Sequence, residues 1–537
     1  MSTLVASPKP IFDQTHLSRD LLPQQEYTRP RYLLEGKVQT WAGEASEVAS
    51  PIFIDGQRFV LGREPKLTQE AALEALRSAT RAYSQGRGFW PTLPVSERIR
   101  AVEHLVRRMR ALREEAVRLL MWEIAKTRLD AETEFDRTIR YMEDTVHALK
   151  EIDRAGSRFV VESGFVAMIR RSPLGVSLCM GPFNYPLNET FGLLIPALLM
   201  GNTVIFKPPR FGVLIYQLLL EPFAECFPPG VLNSVSGDGE TVIGPLMRGG
   251  EIDILAFIGS ARVGALLKSA HPRPNRLRSV LGLGAKNAAI VLADADLDLA
   301  ADECTAGAFS YNGQRCTAIK ILFAQRQVAE ECAARLAARV EALPLGLPWE
   351  PEVRITPLAE PGKPEWLRSL VEAAGSQGAR VINRGGGASE RSLYYPAVLY
   401  PASTNMEICS VEQFGPVLPI VPFDDPGEVL DWMAASSVGQ QCSIFGRDPR
   451  AVADLIDPLV NQVCRVNLNS QCQRGPDTFP FGGRKDSAEG TLSVSDALRV
   501  FSIRSLVAGK ATEGNQALLS RLVSERLSSF VSTDFIF

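Results

Sequence analysis

Histidine is scarce in this chain: its 537 residues hold only His16, His104, His147 and His271. None lies near Cys316, the cysteine that the motifs below single out, so a Cys–His pair has no local support. The nine cysteines form no CxxC pair and no metal-ligand spacing. No metal site is expected, and the odd number and scatter of the cysteines fit reduced thiols in the cytoplasm. Long apolar runs are missing too. The longest, residues 191–206, is interrupted by Pro196, Gly201 and Asn202, so no membrane span is expected. Residues 1–20 lack a basic flank followed by an apolar core, which argues against a secretory signal. Neither sign of charge is in excess. A net charge of −3 gives no reason to expect nucleic acid or another polyanion as partner. There is no internal repeat and no regular GxGxxG fingerprint.

What is present is ordinary material for a globular enzyme, with 45% hydrophobic and 22% charged residues. The length predicts roughly three domains at about 150 residues each. Residues 1–50, with Pro8, Pro10, Pro23 and Pro30, read as an irregular extension. Over residues 97–122 the apolar positions Val102, Leu105, Val106, Met109, Leu112, Ala116 and Leu119 recur at helical spacing. Arg107, Arg108, Arg110 and Arg113 lie between them and read as a solvated face rather than an anion site. From Gly175 onward short apolar runs alternate with helical stretches. Residues 176–180, 203–206, 252–258 and 287–292 read as buried strands, and 211–225 and 261–270 as helices. Such alternation predicts a parallel α/β sheet with both faces covered, and its repetition after about residue 300 predicts a second one. Residues 500–507 read as a late strand, and 509–537 as a tail without assignment.

Several short motifs carry chemistry. Cys316 closes Gly313-Gln314-Arg315-Cys316, and Asn184 lies in Gly181-Pro182-Phe183-Asn184-Tyr185-Pro186. Lys207 ends the strand-like run before Pro208-Pro209. Gly237 and the pair Gly259-Ser260 fall where strands should turn into helices, and Glu412 and Phe414 lie in Glu412-Gln413-Phe414-Gly415-Pro416. Taken singly these signals are weak. A lone cysteine is more often an inert buried thiol, and a turn glycine more often just a turn. Glycine before a helix start does let a backbone approach a phosphate.

Together and in this order, the motifs resemble the aldehyde dehydrogenase superfamily. The resemblance implies two Rossmann-like parallel-sheet domains and a small oligomerisation β-element. Its boundaries would be 51–152 with 172–283 for the cofactor domain, 284–496 for the catalytic domain, and 153–171 with 497–508 for oligomerisation. It implies Cys316 as nucleophile and Asn184 as a donor to the oxyanion. It also implies a dinucleotide held by Lys207, Gly237, Gly259, Ser260, Glu412 and Phe414. Members that prefer NAD often carry a glutamate three residues after the lysine. Arg210 stands there and would pair with a 2′-phosphate, so the expected cofactor is NADP, with NAD the alternative.

One position departs from the pattern. The family's Leu-Glu-Leu-Gly-Gly-Lys reads Leu281-Gly282-Leu283-Gly284-Ala285-Lys286 here. Gly282 lies 34 positions before Cys316, the family's usual spacing for its catalytic glutamate. Glycine cannot activate water. Three readings stay open: another carboxylate such as Glu412 takes over, coenzyme A accepts the acyl group, or turnover is slow or absent. Within the superfamily the nearest resemblance is to non-phosphorylating, NADP-dependent glyceraldehyde-3-phosphate dehydrogenases, most specifically through Arg474-Gly475-Pro476-Asp477. It implies a phosphorylated aldehyde held by Arg140, Tyr185, Arg315 and Arg474, and a homodimer or homotetramer. The alternatives are a CoA-acylating semialdehyde dehydrogenase and an impaired homologue that only binds cofactor.

Overall fold

The computed structural model describes residues 19–54 and 56–532. Two parallel sheets organise the chain. In the first, five parallel strands run in the spatial order Arg278–Gly282, Ile254–Ile258, Val176–Met180, Thr203–Lys207, Leu232–Ser234. A two-residue strand, Ala488–Glu489, closes one edge antiparallel. In the second sheet Ala397–Tyr400, Val417–Phe423, Ile319–Gln325, Asn287–Val291, Gln441–Phe445 and Arg465–Leu468 lie side by side in parallel. Val176–Met180, Ile254–Ile258 and Asn287–Val291 are buried at every residue, which is why they read as unbroken apolar runs. Helices cover both sheets, as parallel crossovers require.

Four expectations need correction. Residues 1–50 are not irregular throughout. Arg31–Leu34 and Lys37–Thr40 form a hairpin, and Ala45–Ile54 pairs with Gln57–Pro65. Side chains across the chain hold this region: Leu33 N–H donates to Ser234 Oγ, Glu35 N–H to Asn233 Oδ1, and Arg31 pairs with Glu221. Residues 1–18 lie outside the described residues. The helical stretch 97–122 is two helices, Val95–Arg110 and Arg113–Ile124, broken at Ala111 and Leu112. Its arginines pair outward, Arg108 with Glu225, Arg110 with Glu143 and Arg113 with Asp136. The helix expected from residue 211 starts at Leu214, because buried Glu123 accepts from the N–H groups of Val213 and Leu214 there. The tail contains the helix Glu513–Ser524.

A third, three-stranded sheet stands apart from the other two. Ser502–Lys510 pairs antiparallel with Phe165–Pro173, which pairs with Val160–Glu162. Leu519 and Val531 of the tail pack against Val166 and Met168 on one side of it.

Candidate active site

The cysteine loop is a tight left-handed turn. Tyr311, Asn312 and Gly313 take φ of 48°, 56° and 68° in succession. Two groups hold the strained residues. Asn312 Oδ1 accepts from Thr356 N–H at 2.9 Å, and the Tyr311 hydroxyl donates to the Ile124 carbonyl at 3.1 Å. A Cβ on Gly313 would sit 2.7 Å from the carbonyl oxygens of both Ala308 and Gly415, so the loop needs glycine there. The same approach brings the Glu412–Gly415 segment against the cysteine loop. Cys316 itself is half-buried. Its carbonyl accepts from Asn287 Nδ2 at 2.8 Å and from Lys320 Nζ at 2.7 Å. Burial pushes its thiol up to about 11, with the charge of Glu189 adding to the shift and Lys320 opposing it.

Asn184 comes from the loop after Val176–Met180. Its amide donates to the Gln314 carbonyl at 2.8 Å, two residues before the cysteine, and keeps a second N–H. The loop is set by a buried ion pair, Lys126 with Glu134. Glu134 also accepts from the N–H groups of Leu187 and Asn188, at 3.0 and 3.2 Å, where the helix Asn188–Leu199 begins. Lys126 Nζ lies 3.5 Å from the centre of the Tyr185 ring and 4.7 Å from that of Tyr311. One buried charge pair therefore fixes Asn184's loop, Tyr185 and the cysteine turn together.

A compact network of charge, including Glu189 and Arg474, also acts on Cys316. Buried Arg474 pairs with Glu189 and lies 3.4 Å from Asp477, which Arg137 grips with two nitrogens at 2.6 and 2.7 Å. Arg474 stacks over Phe481 at 4.5 Å. Arg315 donates to the Ala306 and Gly307 carbonyls, while its buried Nε has no partner. Tyr185 feels both Arg315 and Arg137. Arg140 does not belong to this group. It is exposed on the helix Arg128–Gly156, whereas Arg137, three residues earlier, reaches Asp477.

The dinucleotide candidates line up along one edge. Lys207, Gly237, Gly259 and Gly282 end or follow four of the parallel strands of the first sheet, at the carboxyl end where α/β sheets bind ligands. Lys207 feels Glu64, Asp238 and exposed Arg210. Gly237 has φ of 120°, and a Cβ there would sit 3.2 Å from the Leu67 nitrogen. Ser260 caps the helix Ala261–Ala270. Phe414 meets Phe183 at 5.8 Å, and Phe183 meets Phe211 at 5.7 Å. Glu412 lies 3.2 Å from Lys320 and 2.8 Å from the position of a Cβ on Gly284. Gly282 carries no group toward this space, and its carbonyl accepts from Gly259 N–H.

Residues 41–506 match the model of the Aldehyde dehydrogenase family. The chain belongs to the aldehyde dehydrogenase family. An NADP-dependent glyceraldehyde-3-phosphate dehydrogenase of Streptococcus equinus is 33% identical over 461 residues, covering 84% of this chain and 92% of that protein. Among solved structures, the NADP-dependent glyceraldehyde-3-phosphate dehydrogenase of Bacillus halodurans C-125, complexed with NADP, superposes with a TM-score of 0.83 at 31% identity, covering 90% of this chain and all of that one. Lactaldehyde dehydrogenase of Escherichia coli superposes with a TM-score of 0.82 at 26% identity, covering 90% of this chain and 99% of that one.

For an aldehyde dehydrogenase, the sequence motifs point to Cys316 and Asn184 directly, but not to the residues that hold them. Asn287 was within reach, lying one residue past Lys286 in a segment already singled out. Lys286 itself, deeply buried, donates to the carbonyls of Ile408 and Val411 and to Gln413 Oε1, and so fixes the segment carrying Glu412. Glu134, Arg137 and Glu189 lie in helices, and Lys126 in the short break before one, where the sequence gives no local sign of chemistry.

Proposed function

We propose that this aldehyde dehydrogenase oxidises glyceraldehyde 3-phosphate to 3-phosphoglycerate with NADP as oxidant and water as acyl acceptor, in the cytoplasm and as a homodimer or homotetramer. What supports the proposal is that Arg474 and Arg137 share Asp477, that Arg137 and Arg315 both act on Tyr185, and that Arg474 acts on Cys316. Guanidinium groups suit a phosphate dianion, because they are permanently charged and donate in pairs. Similarity to enzymes named for this substrate supports the same choice.

The residues divide the work as follows. Cys316 as thiolate adds to the aldehyde carbon, and the oxyanion that forms is met by the second N–H of Asn184 and the N–H of Cys316. Bound NADP would supply the hydride acceptor for that carbon, and Cys316 would then hold the acyl group as a thioester. The residues present fit the cofactor. Lys207 and Arg210 offer paired positive charge for a 2′-phosphate, the capped start of Ala261–Ala270 suits the pyrophosphate, and Glu412 with Phe414 would hold the nicotinamide ribose. Water then releases the acid.

A second proposal, acyl transfer to coenzyme A, is favoured by Gly282 alone. Stopped-flow mixing with NADP and glyceraldehyde 3-phosphate, without coenzyme A, separates the two. Hydrolysis gives a burst of NADPH near one equivalent per subunit followed by sustained turnover. A burst that stalls until coenzyme A is added would favour the second proposal, and no burst would refute the substrate.

A further inference from the structure

Deacylation by water needs a base, and Gly282 supplies none. Two carboxylates bear on Cys316, Glu189 and Glu412, and the charge of Glu189 raises its thiol more. Glu412 is engaged elsewhere. It is drawn to Lys320 at 3.2 Å and lines a pocket of about 360 Å³ with Gly284, Lys286, Trp432 and Ser436. In the proposed function it holds the cofactor's ribose. Glu189 has no such duty. It is buried in the first turn of Asn188–Leu199, five residues after Asn184, and its N–H is tied to the Tyr185 carbonyl at 3.2 Å. Its carboxylate meets Arg474, which is itself among the groups acting on Cys316.

Anion binding does not explain Glu189. Arg137 and Arg474 face two carboxylates, Asp477 and Glu189, so the network is balanced before any substrate arrives. Asp477 is needed to clamp Arg137, but Glu189 competes with a substrate phosphate for Arg474. A buried carboxylate is costly to keep unless it is paired. The helix that carries it begins at the loop whose Asn184 amide holds the Gln314 carbonyl, two residues before the nucleophile.

We propose that Glu189 is the general base of deacylation, in place of the side chain that Gly282 lacks. The assignment rests on water being the acyl acceptor. A water proton passes to the Glu189 carboxylate while the water oxygen bonds to the thioester carbon. The C–S bond then breaks, its electron pair returns to Cys316 as thiolate, and the proton leaves Glu189 for solvent. The ion pair with Arg474 engages Oε2 of Glu189, and Oε1 is the oxygen that takes the proton.

The test is Glu189→Gln, followed in two assays. With NADP and glyceraldehyde 3-phosphate, the variant should give the burst and then turn over about a hundred to ten thousand times more slowly than the parent. With p-nitrophenyl acetate, which acylates Cys316 without aldehyde or cofactor, the slow deacylating phase should fall by a similar factor. The acid limb of its pH profile, present in the parent, should vanish. Parent-like deacylation in the variant would overturn the proposal. So would slowed deacylation that keeps the acid limb, because that marks a structural role. If the parent gives no NADPH burst, the substrate proposal fails while the ester assay still decides Glu189. Should the Gln variant not fold, Glu189→Asp keeps the carboxylate but withdraws it from the thioester: it should deacylate more slowly and keep the acid limb, and parent-like deacylation would overturn the proposal.

Discussion

Cys316 has to work as a thiolate from a position that opposes one. Burial disfavours the charged form, so its titration is raised to about 11 and the thiolate fraction grows with pH. In the protein without ligands, alkylation of Cys316 by iodoacetamide should therefore rise about tenfold per pH unit from 7 to 10. Mass spectrometry of its peptide, with exposed Cys464 as internal reference, checks this. A rate that levels off by pH 8 would mean that positive charge outweighs burial at this site. The sequence makes Cys316 and Asn184 legible because both sit in short motifs whose residue types serve the chemistry by themselves. It singles out Arg140 and passes over Arg137 for a physical reason. Arg137 and Arg140 are three residues apart on one helix, so their faces differ by only about 60°. What chooses between them is Asp477, 340 positions away. Glu189 is hidden in a similar way. An acidic residue in the first turn of a helix is ordinary, and only the fold brings Arg474 to it.

Secondary elements around the site are placed by buried charge as much as by apolar packing. The Lys126–Glu134 pair is closed off from solvent on both sides, and Glu134 also satisfies the two N–H groups that open Asn188–Leu199. Removing one partner of such a pair strands the other charge, at about 3–5 kcal/mol. Glu134→Gln should accordingly lower the thermal unfolding temperature clearly in a calorimetric scan. It should also slow the NADPH burst, since Tyr185 rests on Lys126 and Asn184 shares the loop. An unchanged melting profile would show that the pair is dispensable. Of the elements, those buried on all sides were the easiest to read, because burial removes the need for any polar alternation. The hairpin at Arg31–Thr40 was the hardest. Its strands are half-exposed, and its partners are Ser234, Asn233 and Glu221, about 190–200 residues away. The break after Arg110 was illegible as well, since neither glycine nor proline marks it.

At the scale of the molecule, the three-stranded sheet is the part that a single chain leaves unfinished. Its tail-facing side is covered, where Val166 and Met168 meet Leu519 and Val531. Side chains alternate along a strand, so Phe165, Ala167 and Ile169 point the other way. Leu506, paired in register with Ile169, and Val160, paired with Ala167, lie on that same face. Leu506 is 60% exposed, Phe165 49% and Val160 40%, an apolar strip of the kind that marks a protein contact. We infer that a second copy of the chain covers it, since the outer strands Ser502–Lys510 and Val160–Glu162 each pair on one side only among the described residues and can extend the sheet. Leu506→Asp places a charge in the middle of the strip without touching the active site. Light scattering should then give about 58.7 kDa, the mass of one chain, where the parent gives a multiple of it. If the variant keeps the parent's mass, the copies join elsewhere. If the parent is already a monomer, the exposed strip belongs to another partner. The NADPH burst in the dissociated variant would further separate the two uses of the fold. Every residue assigned to the site comes from one chain, so acylation of Cys316 should survive dissociation.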